Sequence, residues 1–169
     1  PSLDELVADR VQRLTQYQNQ ALAARYQALV QRVRQAEQAV SGEGAGLPLT
    51  ETVARQYFRA LAIKDEYEVA RLYTRGDFMR GIQAQFQGDA KVFFHLAPPL
   101  LAGRDARGLP TKRRLGRWLV GGMHVLAALR GLRGSVLDVF GYHPERRAER
   151  AWLAEYEAAL TQLVATHLS

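Results

Sequence analysis

Leu3 to Val33 reads LDELVADRVQRLTQYQNQALAARYQALVQRV, and this run decides what kind of fold the chain adopts. Leu3, Leu6 with Val7, Val11 and Leu14 recur at spacings of three and four, the period of one face of an α-helix. The pattern resumes at Ala21 with Leu22, Leu29, Val33, Ala36 and Val40. Residues 3–40 are therefore expected to form one long helix, or two with a joint near Thr15 to Asn19. Gln and Arg fill the intervening positions and suit a solvated face. A helix of this length cannot bury its stripe on itself and requires a partner surface.

Outward from that run the chain keeps its helical character. Ser41 to Pro48 holds three glycines and a proline in eight residues and reads as a linker. Thr50 is a good N-cap for a helix through Val53, Tyr57 and Leu61, with helical character persisting to about Tyr73. Thr74-Arg75-Gly76 interrupts it, and Asp77 caps a further helix through Phe78, Ile82 and Phe86. The stretch AKVFFHLAPPLL (90–101) is different: Val92, Phe93 and Phe94 favour a strand, and Pro98-Pro99 stops it. Gly103 to Thr111 reads as an exposed turn that could join a second short strand on either side.

Leu115 to Leu129 is apolar nearly all round and predicts a buried helix, with Gly121-Gly122 suited to a close backbone approach. A loop at Gly131 to Ser135 and a short extended piece at Val136 to Phe140 follow. Pro144 then opens a last helix with Trp152, Tyr156, Leu160 and Leu163 on one face. The expected fold class is mainly α (α+β), with long N-terminal and C-terminal helices and a small β element near 90–105. By organisation, residues 1–40 are a helical opening segment, 41–48 a linker and 49–169 a helical body, together one domain.

The 169 residues suffice for a domain with its own core. The longest uncharged runs, Val92 to Gly103 and Trp118 to Leu129, have 12 residues each, short of the roughly 20 that a membrane span needs. No secretory signal opens the chain, so a cytoplasmic home is expected and no membrane partner is read. The numbering opens at Pro1 without Met, as expected of a processed chain or, the reading favoured here, of a piece of a longer protein. Cysteine is absent, excluding disulfides, thiolate nucleophiles and cysteine-held zinc or iron–sulfur clusters within this chain.

The formal charge is +6, and 20 of the 23 basic residues are Arg. Six basic residues and one acid lie between Arg104 and Arg117. Few aromatics interleave with them and no nucleic-acid motif surrounds them, so docking or solubility is the better reading than nucleic acid. Lys64, Asp65, Glu66 and Arg71 form a charged edge in which Lys64 would meet Glu68 at i,i+4 and Glu68 would meet Arg71 at i,i+3. A second alternating cluster holds Arg146, Arg147 and Arg150. His95, among apolar neighbours, reads as a hydrogen-bonded joint at a structural corner. These eight residues, Lys64, Asp65, Glu66, Arg71, His95, Arg146, Arg147 and Arg150, are the candidates for an interface or an anion site. The remaining histidines lack ligand spacing, and no nucleophile elbow, dinucleotide fingerprint or phosphate loop occurs, so no catalytic, cofactor or metal residue is assigned.

Four stretches, TETVARQYFRALAIKDEYEVARLYT (50–74), FFHLAPPLLAGRD (93–105), LRGSVLDVFGYHPERRAER (132–150) and LAEYE (153–157), resemble the C-terminal domain of long-form indolepyruvate ferredoxin oxidoreductases. The opening run 3–33 resembles the helical start of the same domain. One departure lies at Arg113 to Trp118, RRLGRW here, where the family tends to carry Lys and then Phe-Gly-Pro-Trp. The resemblance implies a parent 2-oxo acid oxidoreductase that decarboxylates aryl pyruvates on thiamine diphosphate. Iron–sulfur clusters would pass the electrons to ferredoxin, and coenzyme A would take the acyl group. Thiamine diphosphate, Mg and the clusters would sit in other parts of the parent, with this segment a non-catalytic brace whose partners are the parent's other domains or subunit. The alternative is a free-standing basic adaptor for nucleic acid or another acidic partner.

Overall fold

Helix α1 (Leu3–Tyr17) starts where Ser2 closes a reciprocal cap: its hydroxyl accepts from the Glu5 amide at 3.2 Å, and its own amide donates to the Glu5 carboxylate at 2.8 Å. In the computed structural model the chain is described over residues 1–42, 44–75, 81, 84–85, 94–96, 113–115 and 118–167, with the backbone alone at 94–96, 113–115, 118 and 167. Asn19 caps α2 (Gln20–Ser41) by accepting from the Leu22 amide at 2.9 Å. The expected joint between two helices is thus built at Gln18-Asn19. Gly42, at φ 79°, ends α2 in a backbone region that side-chain-bearing residues avoid. Residues 42–48 lead to α3 (Pro48–Leu61).

The start of α3 differs from expectation. The helix begins at Pro48, two residues before Thr50, and carries no side-chain cap of its own. Its amides are taken instead by the buried Glu37 of α2, which accepts from Leu49 N at 2.9 Å, Thr50 N at 2.7 Å and the Thr50 hydroxyl at 2.6 Å. A carboxylate at a helix N-terminus gains from both the free amides and the helix dipole. The helical run also does not continue to Tyr73. It breaks at Ala62, and Asp65 caps a separate α4 (Glu66–Thr74) by accepting from the Glu68 amide at 2.8 Å.

The described chain divides into two compact units, one of residues 1–63 and 131–169, the other of residues 64–130. In the first, α1, α2 and α3 pack with the C-terminal helix, α6 (Pro144–His167). Leu6, Leu14, Tyr26, Leu29, Val30, Val33, Val53, Ala54, Tyr57 and Leu61 form its core with Leu160. Three tyrosines stack through that core, Tyr26 on Tyr57 at 5.8 Å and Tyr57 on Tyr156 at 5.9 Å between ring centroids. Each buried phenol needs a partner: Tyr26 donates to the Ala54 carbonyl at 3.0 Å, and Tyr57 to the Glu157 carboxylate. Burial pushes the Tyr26 phenol up to about 12.

Glu157 also takes both ends of the Arg25 guanidinium, at 2.8 Å each, so one carboxylate joins α2, α3 and α6. Burial pushes the Glu157 carboxyl up, but hydrogen bonds from Arg25 and Tyr57 and the Arg25 charge hold it below its usual 4.5. Glu37 is likewise held low against the effect of burial, by the Thr50 hydroxyl and the Thr50 and Leu49 amides. On α6, Leu160 is buried and Tyr156 and Leu163 half-buried, but Trp152, expected to join them, is exposed. Leu153, three before Tyr156 and seven before Leu160, packs on the core.

In the second unit α4 packs on α5 (Trp118–Ala128) through Ala70, Tyr73, Leu119, Val120, Met123, Leu126 and Ala127. Strands β1 (Phe94–Leu96) and β2 (Arg113–Leu115) pair antiparallel, with His95 opposite Arg114. The fold is mainly α with a minor β element, as the sequence indicates. Leu115 belongs to β2 and not to α5, and α5 is not buried all round: Val125 is exposed, and Leu129, also exposed, lies beyond the helix in a 3-10 turn (Leu129–Leu132). Cβ atoms built on Gly121 and Gly122 meet nothing within 4 Å, so no close backbone approach is seen there among the described residues. Of the expected Asp77 to Phe86 helix, Gly81, Ala84 and Gln85 are described and helical, whereas Asp77, Phe78, Ile82 and Phe86, with Val92, Phe93, Pro98, Pro99 and the turn at 103–111, lie outside the described residues. Among the described residues no helix is long and apolar enough to cross a membrane.

Glu37→Ala is expected to cost about 2 kcal/mol of unfolding free energy, the loss of one charged cap, read by chemical denaturation. Because the folded carboxyls of Glu37 and Glu157 sit below 4.5, their contribution is present above the ordinary carboxylate range and is lost as pH falls through the folded values. Tm should hold steady from neutral pH to the upper edge of that range and fall below it. Glu157→Gln should lower Tm at pH 7 and flatten the acid limb.

Candidate docking surface

The segment from Arg133 to His143 is not the extended piece its Val, Leu and Phe suggest but a chain of turns. Asp138 explains why. Its buried carboxylate accepts from the Gly134 amide at 2.8 Å and the Gly141 amide at 3.1 Å, folding both ends of the loop inward. Amides captured by a side chain cannot enter a strand ladder. Backbone turns at Ser135→Leu132, Asp138→Ser135, Gly141→Asp138 and His143→Phe140 complete the path.

Both glycines are required by this geometry. Gly134 stands at φ 74°, in the left-handed region, and a Cβ on Gly141 would lie 2.6 Å from the Asp138 carboxylate oxygen. Further clamps come from neighbouring side chains. Arg150 donates to the Gly141 carbonyl, the Tyr142 hydroxyl donates to the Val136 carbonyl at 2.8 Å, and Leu137 N donates to the Ser135 hydroxyl at 3.2 Å. Arg133 sits over the Tyr17 ring at 3.8 Å and donates to the Tyr17 carbonyl, tying the loop to the end of α1.

With the Asp138 carboxylate turned inward, the loop leaves four large side chains facing outward. Val136 is 83 % exposed, Leu137 65 %, Val139 59 % and Tyr142 64 %. Four large apolar side chains in seven residues form a patch of the kind that marks an interaction surface. A separate cleft of about 250 Å³ in the same unit is lined by Ala60, Ile63, Leu153 and Tyr156 with Glu149 and the exposed Trp152.

The charged candidates are placed as follows. Lys64 precedes the Asp65 cap, outside α4, so the expected i,i+4 neighbour relation with Glu68 is not formed. Asp65 is occupied in capping, and Arg71 holds Glu68 through two contacts of 2.7 Å. Glu66 is the first residue of α4. His95 has its backbone in β1 and its side chain outside the described residues, as is the Arg104 to Arg117 cluster apart from the β2 backbone. Arg146 pairs with Glu149 at 2.7 Å, Arg150 braces the loop, and Arg147 is exposed. The structure brings Arg146, Arg147 and Arg150 together at the start of α6, beside the loop in sequence, while Lys64 to Arg71 belong to the other unit.

Among the described residues no group of three His, Asp or Glu is arranged to hold a metal ion. Sequence reasoning missed the apolar loop, although the signal was there: an Asp flanked by Gly134 and Gly141, with hydrophobic residues between. Asp138→Ala should raise hydrogen exchange at the Gly134 and Gly141 amides by at least ~10-fold while leaving helical circular dichroism unchanged. Gly141→Ala should do the same by steric conflict.

No curated protein and no solved structure matches the chain. A family match covers residues 3–168, all of the helices and the loop described above. The chain belongs to that family, described as a family of unknown function (DUF6537).

Proposed function

We propose that this chain is the non-catalytic C-terminal domain of an indolepyruvate:ferredoxin oxidoreductase, in which it braces the catalytic modules or their interface. The resemblance of residues 50–74, 93–105, 132–150 and 153–157 to that domain supports the reading. The observation that carries it is the loop Val136–Tyr142. The 132–150 stretch, part of that resemblance, builds a clamped backbone that presents aliphatic side chains, and catalytic sites instead converge polar groups.

The parent would oxidatively decarboxylate aryl pyruvates to acyl-CoA with ferredoxin as acceptor. Thiamine diphosphate with Mg supplies the carbanion chemistry in such a reaction, and iron–sulfur clusters carry the electrons. The residues of this chain do not fit a cysteine-ligated cluster, for it has no cysteine, so these groups belong to other segments of the parent. The compartment that suits ferredoxin-linked chemistry is the cytoplasm.

The reading frame upstream of Pro1 tests this directly. It is expected to encode thiamine-binding and ferredoxin-like cysteine segments, and the full polypeptide should reduce ferredoxin with an aryl pyruvate and coenzyme A. A frame without those segments sinks the reading. Salt-sensitive binding of an oligonucleotide by the 169-residue chain would favour the basic adaptor in its place.

A further inference from the structure

We infer that two copies of this chain associate reciprocally, the Val136–Val139 tip of the loop in each copy entering the apolar cleft beside Trp152 in the other. This association goes beyond the proposed function and does not depend on it.

A knob and a hole of matching chemistry lie on one unit of the chain. The knob is the loop, where Val136, Leu137 and Val139 are exposed and their transfer from water is still to be gained. Asp138 holds the Gly134 and Gly141 amides, and the Tyr142 hydroxyl holds the Val136 carbonyl. The backbone is thus ordered before a partner arrives and loses little conformational entropy on binding. The hole is the cleft of about 250 Å³ lined by Ala60, Ile63, Leu153 and Tyr156, with Trp152 and Glu149. It falls below the roughly 300–1,000 Å³ of small-molecule pockets, and its one charged residue, Glu149, is already paired with Arg146. Aliphatic side chains suit such a space. The loop does not fill the cleft of its own copy, for none of its residues lines it.

Position and charge favour a second copy as the occupant. Pro144 follows the loop, and Leu153 lies nine residues later, about 14 Å along α6. A twofold axis beside the first half of α6 therefore yields two identical contacts, since every residue pair in such a dimer recurs with the copies exchanged. Residues 131–169 hold four arginines (Arg133, Arg146, Arg147, Arg150) and five acids (Asp138, Glu145, Glu149, Glu155, Glu157), so the +6 excess of the chain lies elsewhere. Arg133 is taken by the Tyr17 carbonyl, Arg146 by Glu149 and Arg150 by the Gly141 carbonyl. Asp138 is buried, and Glu157 is engaged by Arg25 and Tyr57. Beside the loop this leaves Glu145, 4.0 Å from the exposed His143, and Arg147, both exposed and opposite in sign; Glu155 lies farther along α6. A second copy offers each of them its opposite, whereas a partner surface of a single sign repels one of the two.

The test uses the 169-residue chain, prepared in light and heavy nitrogen and mixed, with a photo-crosslinking phenylalanine analogue at position 137 or, as control, at the exposed Val40 of α2. Position 137 is expected to cross-link in light–heavy pairs to the tryptic peptides Ala60–Lys64 and Ala151–Ser169, several-fold more than position 40. By sedimentation, Leu137→Ser, which trims the knob, and Ala60→Phe, which fills the hole, should each weaken dimerisation at least ~10-fold with circular dichroism unchanged. An equimolar mixture of the two variants should regain part of the loss. The intact loop of the Ala60→Phe chain then meets the intact cleft of the Leu137→Ser chain, a recovery that misfolded variants cannot give. Cross-links without light–heavy pairs, a chain still monomeric at ~0.1 mM, no recovery in the mixture, or binding to phosphatidylglycerol vesicles in preference to a second copy overturns the inference. The frame upstream of Pro1 bears on the proposed function alone, so either can fail without the other.

Discussion

One carboxylate holds the first unit together. Glu157, near the C-terminal end of the chain, accepts from Arg25 on α2 and from Tyr57 on α3, contacts that span 132 and 100 residues of sequence. The unit is discontinuous, made of residues 1–63 and 131–169, so α6 must be recruited after the chain has left and returned. Apolar packing of Leu153, Tyr156, Leu160 and Leu163 drives that return, and packing alone tolerates rotation or sliding of a helix. A bidentate guanidinium and a phenol on one carboxylate do not, because their geometry is directional. The stacked Tyr26, Tyr57 and Tyr156 then have a single register in which all three rings meet.

The same principle recurs at smaller scale. Glu37 fixes where α3 starts, and Asp138 fixes the path of the loop. In each case an acidic side chain with little exposure takes two or more donors, which makes the burial of a charge tolerable and the local geometry unique. Three acids thus do most of the positioning, while several of the arginines are drawn into ion pairs or carbonyl contacts. Surface charge in this protein is therefore a poor guide to where a partner binds. The outward-facing apolar loop, clamped from within by the buried Asp138 carboxylate, is a better one.

The candidate site illustrates what single-sequence reasoning could reach. Arg146, Arg147 and Arg150 were legible as a cluster because helical spacing places them near one another, and the structure adds that one pairs, one braces a loop and one is exposed. Val136 to Phe140 read as a short extended piece, since Val, Leu and Phe in sequence carry β propensity. That propensity was overridden by two glycines and an aspartate acting together over eight residues, a cooperative arrangement that no per-residue preference contains.

From the sequence alone came the mainly helical class, a candidate joint near Thr15 to Asn19 within the opening helical run, the proline start of α6 and a minor β element near 90–105, because periodicity, caps and breakers act within a few residues and need no distant partner. Tertiary structure alone decided where α3 begins, since its cap comes from α2, and that Leu153 packs on the core where Trp152 is exposed. It also decided that α5 buries one face only, which uniform apolarity could not reveal. These outcomes depend on groups brought together from distant parts of the chain, and contact energies of that kind are not written in any local window.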